Sequence, residues 1–175
     1  MPFVAALLGY TAVMSRPVYR LSSGVVVVRK TADGYRFLML RAFRNWDFPK
    51  GIVEAEEEPR AAALREVEEE TGIADVDFAW GCDYFETGPY IRDKIARYYL
   101  GRTATAEVVL GVSPELGRPE HHEYRWVSER AAWELASPRV REVLAWAREK
   151  LRQPTTSQNT LSDLTCIGRL YQAIK

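Results

Sequence analysis

Glu66, Glu69 and Glu70 stand at i, i+3 and i+4 in AAALREVEEET, a stretch of strong helix formers. On a helix this spacing gathers the three carboxylates on one face, with Cβ atoms about 5–6 Å apart. Like charges so placed oppose helix formation unless something compensates them. Hard divalent cations are bound by oxygen ligands of this kind, and Mg²⁺ shares its shell with waters and substrate phosphates. Clustered carboxylates also bridge paired ions about 3.5–4 Å apart. The plain alternative is a solvated acidic helix face.

Charge patterning favours the cation. The 175-residue chain carries 24 Lys+Arg and 24 Asp+Glu. That zero hides a split: residues 16–50 hold eight basic and two acidic side chains, and residues 54–70 hold eight Glu and two Arg. Zero net charge argues against a protein that coats nucleic acid through bulk positive charge. A hydrophobic fraction of 47% excludes collagen-like and wholly disordered chains. Two cysteines, Cys82 and Cys166, lack CxxC spacing and suggest neither a disulfide framework nor a thiolate zinc site. A reducing, cytoplasmic compartment is therefore expected. The opening MPFVAALLGYTAVM is too short for a bilayer span, which takes about 20 residues. It lacks the basic flank of a signal peptide and reads as an N-terminal arm or as an extension before a start at Met14.

Elements must position the carboxylates. Val-rich Ser22 to Lys30 predicts a buried strand, and Tyr35 to Arg41 a returning one. Residues 43–56 read as a loop, with Asn45, Asp47, Pro49 and Gly51. Pro59 opens the helix and Gly72 ends it. Asp75 to Glu86, Lys94 to Arg102, Thr105 to Leu110 and Glu123 to Val127 read as strands, the first two joined at Gly88-Pro89. Ser128 to Ala136 and Pro138 to Arg152 read as helices. This is an α/β chain with a mixed sheet and helices on both faces. Residues 1–20 form an arm, 21–152 the domain, and the polar 153–175 a flexible or weakly docked tail.

The acidic pattern is wider than the helix: Gly51, five residues, Glu57, seven residues, Arg65-Glu66-Val67, one residue, Glu69-Glu70, one residue, Gly72-Ile73. This resembles the signature box of the Nudix hydrolases at every constrained position, and the likeness extends upstream through Trp46-Asp47-Phe48-Pro49-Lys50. The resemblance implies an αβα sandwich in which the box forms loop–helix–loop. It implies hydrolysis of a pyrophosphate bond in a nucleoside diphosphate-linked substrate, with Mg²⁺ or Mn²⁺. Glu66, Glu69 and Glu70 become metal ligands and Glu69 the general base. Arg65 orients Glu57 and a ligand carboxylate, and Gly51 lets backbone approach the metal site. A further acidic group is expected from Glu120 or Glu115. The chemistry agrees: a carboxylate repels a polyphosphate, so a cation must stand between them.

The substrate side is read from flanking residues. Arg41, Arg44 and Lys50 precede or enter the box and are offered to outer phosphates, whereas Arg29, Lys30 and Arg36 read as solvated. Lys50, the Lys94–Tyr98 pair four apart on one strand, and Tyr124 resemble the dinucleoside tetraphosphate hydrolases, with Tyr90 a further contact. Sheet packing is the alternative for Tyr98 and Tyr124, and His121 and His122 read as loop residues. Other readings are an RNA 5′-pyrophosphohydrolase, an inositol-pyrophosphate or ADP-ribose hydrolase, and, outside enzymes, a nucleotide-binding module without catalysis. The partner is a small nucleotide; no membrane is implied, nucleic acid only as an RNA 5′ end, and the residues leave the oligomeric state open.

Overall fold

The computed structural model describes residues 19–90, 93–113 and 116–155. Residues 1–18 of the arm, most of the tail and Glu115 lie outside them. The central strand is β1 (Arg20–Thr31), whose four consecutive valines, Val25 to Val28, are fully buried. Continuous apolar sequence of this kind suits a strand covered on both faces. It pairs antiparallel with β2 (Gly34–Ala42) and parallel with β6 (Lys94–Arg102), which in turn pairs antiparallel with β5 (Tyr84–Tyr90). β9 (Glu123–Val127) pairs with β2.

Residues 43–56 are not wholly loop. They hold two three-residue strands, β3 (Asn45–Asp47) on β2 and β4 (Lys50–Ile52) on β1. The result is a seven-stranded mixed sheet, with a two-stranded ribbon of β7 (Val112–Ser113) and β8 (Arg118–Pro119) beside it. Such short strands are held by ladder partners distant in sequence, and no alternating pattern announces them.

Helices cover both faces. On one, α1 (Pro59–Thr71) buries Ala63 and Val67 against Val25, Val27, Leu38, Leu40 and Tyr99. On the other, α2 (Glu129–Leu135) and α3 (Pro138–Leu151) bury Ala132, Val140, Val143, Leu144 and Ala147 against Val26, Val28, Phe37, Met39 and Leu100. The strand pleat alone sorts the valines, odd numbers to α1 and even numbers to α3. The expected αβα arrangement is present.

Of the strand expected over Asp75 to Glu86, only residues 84–86 lie in a strand, β5; before them there is an isolated bridge from Asp77 to Arg102. Asp75 turns its carboxylate to Thr103 Oγ1 and to the amides of Ala104 and Thr105, which competes with ladder pairing. Gly88-Pro89 lies inside β5, at a register shift between Thr87 and Tyr90, and is not the turn expected. Residues 105–110 form no strand; Val109 N–H instead donates to Thr71 C=O at 2.9 Å, closing the end of α1. Cys82 is disulfide-bonded, which corrects the expectation of unbridged thiols and removes their support for a reducing compartment. Spacing along the chain says nothing of which side chains folding brings together.

Candidate active site

The acidic box is built from β4, the loop after it and α1. Glu58 caps the helix by accepting from Ala61 N–H at 3.0 Å, Pro59 begins it, and Gly72 ends it in the left-handed conformation. Packing of Ala63 and Val67 on the sheet turns the glutamate face toward β4. There Gly51 leaves no room for a side chain: a Cβ would lie 2.0 Å from the Glu66 carboxylate.

Arg65 organises the carboxylates. Its Nε and Nη2 donate to Glu57 at 2.8 and 2.9 Å, its Nη1 to Glu66 at 2.8 Å and to Glu69 at 3.0 Å, and Nη2 also reaches Ile52 C=O at 3.1 Å. Those bonds from Arg65 hold the Glu57 carboxyl down at about 2, against the opposing effect of burial. Glu66 is pushed the other way, up to about 7: burial raises it most, Arg65 opposes, and the nearby charges of Glu70 and Glu69 add to the rise. Glu70 stands apart from the guanidinium; its Oε2 accepts from Lys50 N–H at 3.1 Å and its Oε1 lies 3.1 Å from His121 Nε2. Glu69 is the outermost, with 58% of its side chain exposed.

Behind the box lies a second charged cluster. Asp47 Oδ1 accepts from Phe48 N–H and from Tyr98 OH, both at 2.9 Å, and its Oδ2 faces Lys50 Nζ at 3.4 Å and Arg139 Nη2. Arg139, near the start of α3, also donates to Tyr98 OH at 2.8 Å and lies over the Tyr90 ring. Burial alone would raise the Asp47 pKa; Lys50 and Arg139 overcome it and hold Asp47 below the usual carboxylate range. Asp47 likewise raises Lys50.

The family model for the NUDIX domain matches residues 18–147. The chain belongs to the Nudix family. An RNA pyrophosphohydrolase from Alkalilimnicola ehrlichii is 30% identical over 128 residues, 62% of this chain and 67% of that protein. An asymmetrical bis(5′-nucleosyl)-tetraphosphatase from Caenorhabditis elegans is 30% identical over 121 residues, 66% of this chain and 83% of that protein. The solved binary complex of a C. elegans Ap4A hydrolase superposes with a TM-score of 0.61 at 26% identity, covering 73% of this chain and 93% of that one. The protein is a Nudix hydrolase of the pyrophosphohydrolase type.

The Nudix box brings together Glu57, Arg65, Glu66 and Glu69. Among the described residues no three His, Cys, Asp or Glu side chains already stand as a metal-binding group. Arg65 holds Glu66 and Glu69, and the Lys50 amide holds Glu70. The donor set nevertheless fits a hard divalent cation. It is all oxygen, burial and then the neighbouring charges of Glu70 and Glu69 raise Glu66, and Gly51 keeps the Glu66 carboxylate clear of a side chain at that position.

Several substrate residues stand differently from expectation. Tyr98 is fully buried, so its ring has no surface to offer a ligand; it is a core residue whose hydroxyl links Asp47 and Arg139. Arg41 is paired with Glu123 at 2.9 Å and lies over Trp46. Lys50 is engaged by Asp47. Lys94 begins β6, half-buried, opposite Tyr90. Arg44 and Tyr124 are exposed, as is Glu120. Sequence reasoning missed Asp47, although it lies in the quoted WDFPK stretch, and Arg139, for which no local signal exists. It also set aside His121, which is buried beside the box. Among the described residues no helix is long and apolar enough to cross a membrane.

Proposed function

We propose that this Nudix hydrolase cleaves dinucleoside polyphosphates, with Mg²⁺ as its cation and the tetraphosphate as the preferred length. The observation that carries the reaction is the carboxylate cluster of the box, with Glu57, Glu66 and Glu69 gathered on Arg65 and Glu70 held beside them by the Lys50 amide. The substrate class rests on the likeness to the tetraphosphatase over 83% of that protein's length. Glu66, Glu69 and Glu70 would hold the cation, which when bound neutralises phosphate oxygens and lowers the pKa of a coordinated water.

Arg65 fixes the box by gripping Glu57 with two parallel bonds, the geometry that most restricts a carboxylate. Glu69, at the solvent-facing edge, accepts the proton of the attacking water. Water oxygen bonds to one phosphorus, the bridging P–O bond breaks, and a nucleoside triphosphate and a monophosphate leave. The exposed Arg44 and the exposed Tyr124 supply a phosphate contact and a base-stacking face. Lys94 and Tyr90 line the β5–β6 side, Glu120 supplies the further acidic group, and Lys50 presents the charge that Asp47 leaves unbalanced. The site acts on a small nucleotide.

The 30% identity to an RNA pyrophosphohydrolase favours one second reading, removal of pyrophosphate from RNA 5′ ends. Incubation with Mg²⁺ and equal concentrations of diadenosine tetraphosphate, 5′-triphosphate RNA and ADP-ribose separates them. The expected result is ATP plus AMP from the first, at the highest kcat/KM. Faster turnover of RNA establishes the second reading, and turnover of ADP-ribose alone overturns both.

A further inference from the structure

The segment between β8 and β9 carries a histidine that neither the box pattern nor the substrate reading uses. His121 is only 9% exposed. Its Nε2 lies 3.1 Å from Glu70 Oε1, short enough for a hydrogen bond but off the line of one, and neither ring nitrogen has a hydrogen-bond partner among the described residues. Buried polar atoms in folded proteins are nearly always partnered, so a group left this way calls for a reason. Its surroundings supply one. Glu70 is itself almost buried, and its other oxygen accepts from the Lys50 amide. The backbone next to His121 is anchored to the sheet, with His122 N–H donating to Arg41 C=O at 3.1 Å just before β9 begins. The imidazole is therefore carried to Glu70 by the segment that leads into β9, remote in sequence from α1.

We infer that His121 is a positioning residue of the metal site. As an Nε2–H donor it holds Glu70 Oε1 while the Lys50 amide holds Oε2. The carboxylate is then fixed at both oxygens and turns its remaining lone pairs to the cation. This rests on the reading of Glu66, Glu69 and Glu70 as the metal-holding set. Outer partners of this kind orient ligand carboxylates, and losing one lowers metal affinity about 10–100-fold.

The test is direct binding of Mn²⁺ to the full-length, chelator-stripped protein, followed by electron paramagnetic resonance of the free ion. His121→Leu removes the donor at similar volume; His121→Gln places an amide nitrogen near the position of Nε2. The expected result is a 10–100-fold weaker Kd for His121→Leu. His121→Gln recovers most of that loss, and melting temperatures in chelator match. Electron spin echo spectra of the Mn²⁺-loaded wild type show no directly bound nitrogen. Wild-type affinity in His121→Leu overturns the inference, as does equal loss in both variants or a directly bound nitrogen. If the wild type binds no Mn²⁺, the metal-site reading fails and the inference with it. If the wild type binds and His121→Leu binds equally, the inference fails alone.

Discussion

Around Arg65 three carboxylates share one guanidinium; around Asp47 two cations share one carboxylate. The first cluster opens to solvent at Glu69, while in the second Asp47, Lys50 and Arg139 are all largely buried around the Tyr98 hydroxyl. The two are joined where Lys50 donates its amide to Glu70 and turns its side chain to Asp47. The two clusters are left with opposite residual charge. The acidic box has an excess of negative charge that Arg65 only partly meets, which is the condition for taking up a cation. The inner cluster has an excess of positive charge held in place by buried hydrogen bonds, which is the condition for a rigid wall. The basic and acidic segments visible in the sequence do not simply face each other. Arg65 balances the box from within, and a carboxylate from the basic segment engages Lys50.

The comparison breaks most clearly at Asp47. Asp47→Ala leaves Lys50 and Arg139 close together, largely buried and without their shared partner. Breaking a buried pair in this way costs about 3–5 kcal/mol, read by urea unfolding at neutral pH in chelator. The wild type also carries the sign of this pair in its pH dependence. Because the folded pKa of Asp47 is depressed, its stabilising contribution is fully present above the usual carboxylate pKa of about 4. That contribution is lost as pH falls through the lower folded value, and Asp47→Ala lacks the corresponding slope.

Arg65→Ala is the milder lesion, because Glu69, one of the carboxylates it frees, is mostly exposed and 28% of the Arg65 side chain is itself exposed. A loss of about 2–3 kcal/mol is expected. Against the wild type at the same Mg²⁺ concentration, added Mg²⁺ narrows the deficit of Arg65→Ala and leaves that of Asp47→Ala unchanged. Equal recovery in both variants would erase the distinction between an open and a closed cluster.

Much of the fold was legible because its strongest elements obey local rules. The ends of α1 at Pro59 and Gly72, the valines of β1 and the full extent of β6 follow from residue type and spacing. The box glutamates were legible for the same reason, since one helix sets their spacing. Tyr98 shows where this stops. It does alternate in phase with Lys94 along β6, but residues on both faces of that strand are buried, so phase alone does not say which face meets solvent. Arg139 meets Asp47 across a sequence separation of 92 residues, through the packing of α3, and nothing near either residue encodes that meeting. His121 sits beside the expected Glu120; its burial comes from the path of the backbone into β9, which composition does not reveal.

In the proposed function the carboxylates on α1 perform the hydrolysis. The measurement that tests it most directly is the initial rate of diadenosine tetraphosphate hydrolysis at saturating Mg²⁺, for wild type and Glu69→Gln. The predicted result is a rate lower by roughly 100-fold or more in Glu69→Gln, at an unchanged melting temperature. Undiminished turnover in a folded Glu69→Gln protein would contradict the account and move the proton acceptor away from the helix.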